Sequence, residues 1–335
     1  MPESATHPDT APPFSPSLGL RANFTQSLLA SKRPARWLWR KRGVDLTQAE
    51  QKILDCADGV RLSGFYNPQP AGGKTCGLVV LIHGWEGHHE SAYLYSMACA
   101  VFNAGYSIFR LNLRDHGGTH HLNEELFHSA RMGEVLDAVK AVRRFDATDP
   151  FYVIGFSLGG NFALRVGLHG PAAGIHPRLS IGISPAINPG ATLQAIDDGP
   201  AVFHRYFIDK WLRTLDAKQK AWPERYDFSS YHQLRNFVGI TERFVADFTD
   251  YETLHHYLAQ YTLTPSMLMA SPSPLAVITS RDDTVIPFQH FDGLSASGSM
   301  TAFLPTERGG HCGFIENWRM HSWAEARVLD LLARR

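Results

Sequence analysis

Phe151-Tyr152-Val153-Ile154-Gly155-Phe156-Ser157-Leu158-Gly159-Gly160-Asn161 is the stretch from which the architecture of this chain can be inferred. An apolar run ends in Gly-Phe-Ser-Leu-Gly, and a segment compatible with a helix follows at once. The pattern predicts a tight turn between a buried strand and a helix, where glycines at 155 and 159 let the two backbones approach closely. Ser157 would then take a strained conformation that exposes its hydroxyl beside the helix N-terminus. The stretch therefore predicts a nucleophile elbow, with an ordinary glycine-rich turn as the alternative.

Apolar runs alternate with amphipathic segments on both sides of this turn. Residues 52–66 read as a β-hairpin that turns at Asp58-Gly59. Further strands are predicted at 77–82, 107–112, 179–184, 275–279 and 300–304, and helices at 91–104, 129–144, 158–169 and 322–334. Strands that alternate with helices imply right-handed crossovers. The fold class is therefore α/β, with a mostly parallel central sheet and helices on both faces.

Residues 186–270 interrupt this alternation and are predicted to form an inserted helical cap. Aromatic-rich helical stretches are expected at 201–215, 231–237, 240–248 and 251–261. Their aromatic side chains either line an acyl pocket or pack the small core of the insertion, and both can hold. The main domain is predicted to span residues 46–335, with the cap inserted in it, and residues 1–45 to form an N-terminal leader and basic segment.

The N-terminal region has two parts. Residues 1 to about 20 are rich in Pro, Ser and Thr, which predicts a mobile leader because such a composition buries little apolar surface. Residues 32–42 place six cations around Trp37, Leu38 and Trp39. This pattern is typical of a weak membrane-surface contact or of a solvated helix face whose tryptophans pack on the domain, and we favour the second interpretation.

Composition narrows the class of protein. The 335 residues carry 32 basic and 32 acidic side chains, so no global charge points to nucleic acid. The four cysteines are scattered without a C-x-x-C pair, which favours a reduced compartment and no disulfide framework. The chain has neither an apolar stretch of membrane-spanning length nor a signal-peptide pattern. A cytoplasmic enzyme is the expectation.

A nucleophilic serine needs a general base and a carboxylate that orients the base. Ser157, Asp283 and His311 occur in the order that this architecture requires, each after a predicted strand. Asp282 competes for the acid role, and the spacing to Pro287 favours Asp283. The glycines around His311 are expected to give the imidazole room to reach the serine.

The reaction also needs donors for a developing oxyanion. The backbone N–H of Leu158, directly after the serine, should supply one donor. The loop His83-Gly84-Trp85 should supply the other, from the N–H of Trp85. His83 is expected to organise this loop by hydrogen bonds rather than to take part in the chemistry.

Histidines at 116, 120, 121 and 128 raise the question of a metal site. No H-E-x-x-H motif occurs, and no carboxylate stands at ligand spacing on one helical face. A polar loop at the rim of the pocket is the favoured interpretation. Neither a metal nor a cofactor is expected.

Five motifs together resemble the α/β-hydrolase fold superfamily, and more narrowly its YheT-like branch, hydrolases with an esterase or lipid-acyl connection. They are His83-Gly84-Trp85-Glu86-Gly87 with Ser91 and Tyr93, Asn112-Leu113-Arg114, the elbow, Arg281-Asp282-Asp283, and Gly309-Gly310-His311-Cys312-Gly313-Phe314. The chain departs from the branch at Arg114-Asp115-His116-Gly117, where Arg-Gly-Cys is usual, and at Asp283-Thr284, where Asp-Pro is usual. The resemblance implies no cofactor.

The expected function is a serine hydrolase of carboxylic esters, with medium-chain acyl esters as candidate small-molecule substrates. A thioesterase or an amidase would use the same residues. A non-catalytic ligand-binding or membrane-associated protein that retains the fold is the alternative from another class.

Overall fold

The computed structural model describes residues 12–70 and 75–334. These residues form one eight-stranded sheet with the strand order β1-β2-β4-β3-β5-β6-β7-β8. The strands are β1 (Glu50–Asp55), β2 (Arg61–Asn67), β3 (Leu78–Ile82), β4 (Ser107–Asn112), β5 (Phe151–Phe156), β6 (Leu179–Ile183), β7 (Leu275–Ser280) and β8 (Met300–Thr306). Strands β3 to β8 are parallel, and β2 is antiparallel to both β1 and β4. The predicted α/β class with a mostly parallel sheet is confirmed.

Helices cover both faces of the sheet, which explains why its central strands are apolar throughout. The helices outside the cap are α1 (Asn23–Lys32), α2 (Ala35–Lys41), α3 (Ala92–Asn103), α4 (Met132–Phe145), α5 (Leu158–His169) and α11 (Trp323–Ala333). Helices α1, α2, α3 and α11 contribute to the core on one face, and α4 and α5 to the core on the other. Because the strands are parallel, the loops that follow β3, β5, β7 and β8 open at the same edge.

Five helices connect β6 to β7 and form the cap. They are α6 (Pro189–Asp197), α7 (Ala201–Ala221), α8 (Phe237–Phe248), α9 (Leu254–Ala259) and α10 (Pro265–Met269). The sequence prediction missed α6 and α10, and it wrongly placed a helix at 231–237, where only a short 3-10 turn (Ser229–Gln233) forms. Asn236 explains this break, because its side chain accepts a hydrogen bond from Gly239 N–H and starts α8 at Phe237.

A buried lysine fixes the cap to the main domain. Lys218 of α7 has no exposed side chain, and its Nζ lies 2.8 Å from Oδ1 of Asp115 in the loop after β4. The same ammonium group donates to the carbonyl oxygens of Asn123 and Glu125. Because removal of one partner would leave a buried charge uncompensated, this pair holds α7 in one position over the loops.

The N-terminal region packs on the domain as far as the structure describes it. Residues 1–11 of the expected leader lie outside the described residues, but residues 12–20 are not a free leader. Phe14 contacts the rings of Phe314 and Trp323, and Leu20 is buried. Phe14 and Leu20 of this Pro- and Ser-rich stretch therefore pack against the domain. Composition alone does not reveal such contacts.

The basic segment divides into buried and exposed side chains. Arg33 is buried, and its Nη2 lies 2.6 Å from Oε1 of Glu325 in α11. Trp39 is also buried and donates its indole N–H to the hydroxyl oxygen of Ser96. Trp37 stays 54% exposed. Membrane contact through residues 32–42 stays a prediction. Within the described ranges, none of the helices has the length and apolarity needed to cross a bilayer.

Candidate active site

Ser157 lies at the apex of the turn between β5 and α5, in a strained backbone conformation. Its φ of 53° and ψ of −120° are unusual for a residue with a side chain. A Cβ atom at position 155 would overlap the carbonyl oxygen of Gly159, and one at position 159 would overlap the carbonyl oxygens of Ile82 and His83. The glycines therefore allow the close approach of strand and helix that the motif requires.

Three side chains from separate loops form one hydrogen-bonded chain. Nε2 of His311 lies 3.0 Å from the hydroxyl oxygen of Ser157, and Nδ1 of the same ring lies 2.8 Å from Oδ2 of Asp283. The other oxygen of Asp283 accepts from the N–H groups of Val285 and Ile286, which fix the carboxylate. Geometry of this kind lets the imidazole take the serine proton while the carboxylate orients the ring.

Asp282 lies beside this chain but does not contact the imidazole. Its Oδ1 accepts a hydrogen bond from Gly310 N–H at 2.8 Å, one residue before His311. The structure thus places Asp283 against the ring and Asp282 against the backbone of the loop that carries it.

The charge state of His311 follows from its surroundings. Burial alone would lower the pKa of the imidazole, but the Asp283 carboxylate and the Cys312 side chain favour its charged form, and the pKa lies well above its ordinary value. A base must be neutral to accept a proton. His311 therefore becomes competent as a base only as the pH rises above about 6.5.

Two N–H groups near Ser157 are free for an oxyanion. Among the hydrogen bonds within the described part of the chain, the N–H groups of Trp85 and Leu158 have no acceptor. A Cβ on Gly84 would lie 3.1 Å from Cβ of Ser157, so the loop that carries Trp85 passes directly beside the serine. Free N–H donors beside a nucleophile can stabilise charge that develops on a carbonyl oxygen.

The backbone on each side of Trp85 is held by a hydrogen bond. Gly84 N–H donates to the hydroxyl of Tyr93 at 2.9 Å, and Glu86 N–H donates to Nε2 of His116 at 3.1 Å. His116 in turn donates from Nδ1 to the carbonyl oxygen of Arg114. His116 and His128 line the pocket over Ser157, so the loop that carries them lies at the pocket as expected. The structure adds that His116 is buried and that its ring supports the backbone of the loop that carries Trp85.

His83 uses the same arrangement as His116. Its Nδ1 donates to the Gly84 carbonyl and its Nε2 accepts from Leu113 N–H, as the expected organising role requires. Both rings can make these bonds only when neutral. Burial holds the pKa of His83 well below its ordinary value and lowers that of His116 to about 4. The loop therefore keeps its support throughout the neutral range and loses stability as the pH falls below about 6.5 towards 4.

Replacement of His116 by alanine is expected to lower kcat by roughly tenfold to a hundredfold and to change KM little, because an oxyanion donor acts mainly in the transition state. Steady-state kinetics on an activated ester would measure this effect. The matched control is His121→Ala, since His121 is exposed in the same region. An unchanged kcat in His116→Ala would contradict this role for the ring.

His128, in the loop after β4, and His89, in the loop after β3, have separate surroundings. The His128 ring packs against Tyr251 and Tyr257, and the His89 ring stacks on Phe65. Within the described ranges, no group of three or more His, Cys, Asp or Glu side chains could hold a metal ion.

The glycines around His311 let the loop pass close to neighbouring segments. A Cβ at 309 would meet the Phe314 ring and Ser280, and a Cβ at 310 or 313 would meet helix α1. That these glycines also give the imidazole room to reach Ser157 stays a prediction.

A cavity of about 480 Å³ opens above the serine and is enclosed by the cap. Its apolar wall includes Trp85, Phe207, Trp211, Phe237 and Phe244. Trp85 and Phe237 make an edge-to-face contact with ring centroids 5.0 Å apart. The aromatics of the insertion therefore both line a pocket and pack against one another.

Glu86 joins the loop that carries Trp85 to the cap. Its carboxylate accepts a hydrogen bond from the Thr214 hydroxyl, and its carbonyl oxygen accepts from Nζ of Lys210 at 2.6 Å. Burial raises the pKa of Glu86 to about 7. Lys210, Thr214 and Lys218 follow one another at intervals of four residues, so they lie on one face of α7.

The family profile described as "Alpha/beta hydrolase family" matches residues 79–320. The chain belongs to the alpha/beta hydrolase family. This hydrolase is also similar to the Escherichia coli (strain K12) protein provisionally named esterase YheT, with 23% identity over 298 residues that cover 87% of this chain and 86% of that protein. The YheT-like type suggested by the sequence motifs is thus confirmed.

Solved structures share the fold of the hydrolase. The Pyrococcus furiosus esterase Pf2001 matches with a TM-score of 0.57 and 16% identity, over 86% of this chain and 90% of that chain. Est1E from Butyrivibrio proteoclasticus, solved with ferulic acid bound, matches with a TM-score of 0.52 and 15% identity, over 84% and 96% of the two chains. At this identity the likeness concerns the fold alone.

Sequence reasoning missed several residues that shape the site of the hydrolase. The buried role of His116 gave no separate signal in the sequence, and Tyr93 was named only as part of a family motif, without the hydrogen bond that its hydroxyl accepts from Gly84 N–H. The spacing of Lys210, Thr214 and Lys218 could have indicated a polar stripe on one face of an otherwise aromatic helix.

Proposed function

We propose that this hydrolase cleaves carboxylic esters through an acyl-enzyme on Ser157. The observation that carries the proposal is the hydrogen-bonded chain from Ser157 through His311 to Asp283. The esterase name of YheT supports the ester as the substrate class. Free N–H groups at Trp85 and Leu158 supply the oxyanion site.

The reaction follows from this geometry. His311 accepts the Ser157 proton as the hydroxyl oxygen attacks the ester carbonyl, and the oxyanion accepts hydrogen bonds from Trp85 and Leu158. His311 then donates that proton to the leaving alkoxide, which departs as the alcohol. Water repeats the sequence on the acyl-enzyme and releases the acid. Asp283 stays ionised throughout and stabilises the imidazolium.

The leaving group is tested by direct comparison. A p-nitrophenyl ester, an acyl thioester and an anilide of the same acyl group are assayed side by side, with Ser157→Ala as the blank. Highest kcat/KM on the ester supports the proposal. Higher kcat/KM on the thioester or the anilide would make the protein a thioesterase or an amidase that uses the same triad.

The cavity sets an expectation for the acyl chain. Each methylene that enters the apolar wall should contribute about 0.8 kcal/mol, so kcat/KM should rise about fourfold per methylene until the cavity is full. A space of about 480 Å³ suits a medium-length chain. A series of p-nitrophenyl esters from acetate to hexadecanoate measures this dependence. A flat profile, or a decline beginning at butanoate, would contradict acyl binding under the cap.

A further inference from the structure

Helix α1 (Asn23–Lys32) lies outside the region that the family profile matches, yet it contacts the loop that carries His311. A hydrogen bond joins Ser27 of α1 to His311, which lies 284 residues later in the sequence. We infer that α1 is a working part of the active site, with Ser27 and Gln26 as positioning residues for His311. The inference rests on the proposed function.

The loop from Gly309 to Phe314 cannot keep its shape alone. Cys312 and Phe314 have φ values of 62° and 53°, in the left-handed region that side chains disfavour, and Gly309 and Gly310 also have positive φ. Conformations of this kind persist only where the surrounding structure determines them. The loop belongs to no helix or strand of its own, so its support must come from neighbouring segments.

Ser27 supplies part of this support at His311 itself. The Ser27 hydroxyl oxygen accepts from His311 N–H at 2.9 Å, and the same hydroxyl donates to the carbonyl oxygen of Asn23. The hydrogen bond to Asn23 within α1 therefore orients the Ser27 hydroxyl so that its oxygen can accept from the loop. Asn23 also donates from its side chain to the carbonyl of Asp282, which precedes the acid of the triad.

Gln26 adds support at Ile315, the residue directly after the loop. Its side chain is fully buried, and it accepts from Ile315 N–H at 2.7 Å while donating to the carbonyl of the same residue at 2.9 Å. A third bond goes to the carbonyl of Leu20. The buried amide of Gln26 thus makes three hydrogen bonds. It joins α1 firmly to the chain after the His311 loop, because loss of any of these bonds would leave a buried polar group unsatisfied.

The glycines of the loop fit the same interpretation. A Cβ at Gly310 would approach Ser27 Oγ at 2.7 Å, and one at Gly313 would approach the Gln26 backbone and side-chain oxygens at 2.7 Å. The loop and α1 therefore approach so closely that neither glycine can carry a Cβ without a shift of α1. Helix α1 also lines the cavity, and its Phe24 contacts Phe203 of the cap helix α7.

The helix has anchors that do not depend on Ser27. Arg33 forms a buried ion pair with Glu325 just after α1, and Trp39 is held by Ser96. Loss of the Ser27 hydroxyl should therefore leave α1 in place while it frees the N–H of His311. A loosened loop weakens the contact between the imidazole and Asp283. Because burial lowers the pKa of the ring and this contact raises it, the pKa of His311 should fall.

The test compares Ser27→Ala with the wild type and with Thr25→Ala, which removes a hydroxyl from the same helix away from the cavity. Ser27→Ala is expected to lower kcat about tenfold with little change in KM, and to move the acid limb of the kcat/KM profile to lower pH. Ser27→Thr, which keeps the hydroxyl, should restore both. Thr25→Ala should match the wild type.

The titration of the His311 ring is followed by proton NMR of the folded protein without substrate, so the inference has a readout independent of turnover. A lower ring pKa in Ser27→Ala than in Thr25→Ala supports it. Identical ring titrations and identical kcat in the two variants would overturn it. Absence of ester turnover in the wild type would instead overturn the proposed function, while the ring titration still decides whether α1 positions His311.

Discussion

Replacement of Ser157 by alanine is expected to lower kcat for an activated ester by about a millionfold, to the level left by the oxyanion site and substrate binding. The reason is the loss of the hydroxyl group whose oxygen lies within hydrogen-bond distance of His311 in the series Ser157–His311–Asp283. Steady-state kinetics measures the change, and circular dichroism with a thermal melt verifies that the variant is folded.

The variant should fold at least as well as the wild type. Ser157 has a φ of 53°, so alanine carries the same backbone strain, and the glycines at 155 and 159 that permit the turn are unchanged. Ser184→Ala is a comparison that perturbs the neighbouring loop, since the Ser184 hydroxyl accepts from Cys312 N–H. A folded Ser157→Ala protein with more than a tenth of the wild-type kcat would contradict the assignment of the nucleophile.

Asp283→Asn is expected to lower kcat by about 10⁴-fold, because an amide cannot stabilise the imidazolium and favours the wrong tautomer of the ring. It should also move the acid limb of kcat/KM. In the wild type the limb lies above about pH 6.5, because the Asp283 carboxylate raises the pKa of His311. Without that charge, burial dominates, the pKa of the ring falls, and the limb moves to lower pH.

Asp282→Asn is the matched control for this effect. Asp282 accepts a hydrogen bond from Gly310 N–H, and the asparagine oxygen can accept the same bond. We expect a loss of less than about tenfold, the size of one weakened hydrogen bond, and an acid limb within the error of the wild type. A larger loss in Asp282→Asn than in Asp283→Asn would reverse the roles of the two carboxylates.

The sequence was sufficient where a local pattern has one structural meaning. The continuously apolar run before His83 favoured a strand covered on both faces, and Gly155 and Gly159 favoured a close approach of strand and helix; the structure has both. The order Ser157, Asp283, His311 then followed from the loops of a parallel sheet. These features depend on short-range chemistry that can be read along the chain.

The sequence was insufficient where distant segments decide the role of a residue. His116 appeared as one of several loop histidines, and only the fold brings its Nε2 to Glu86 N–H beside the oxyanion site. Lys218 reads as an ordinary basic position on a helix, yet it is buried against Asp115. Nothing in the sequence indicates that α1 packs against Gly310 and Gly313 of the His311 loop.

Covalent labelling tests the central claim most directly. The folded wild-type protein and Ser157→Ala are treated with a fluorophosphonate probe, digested, and mapped by mass spectrometry. We expect one adduct on Ser157 in the wild type and none in the variant. A folded wild-type protein that takes up no probe, or that carries the adduct on another residue, would contradict it.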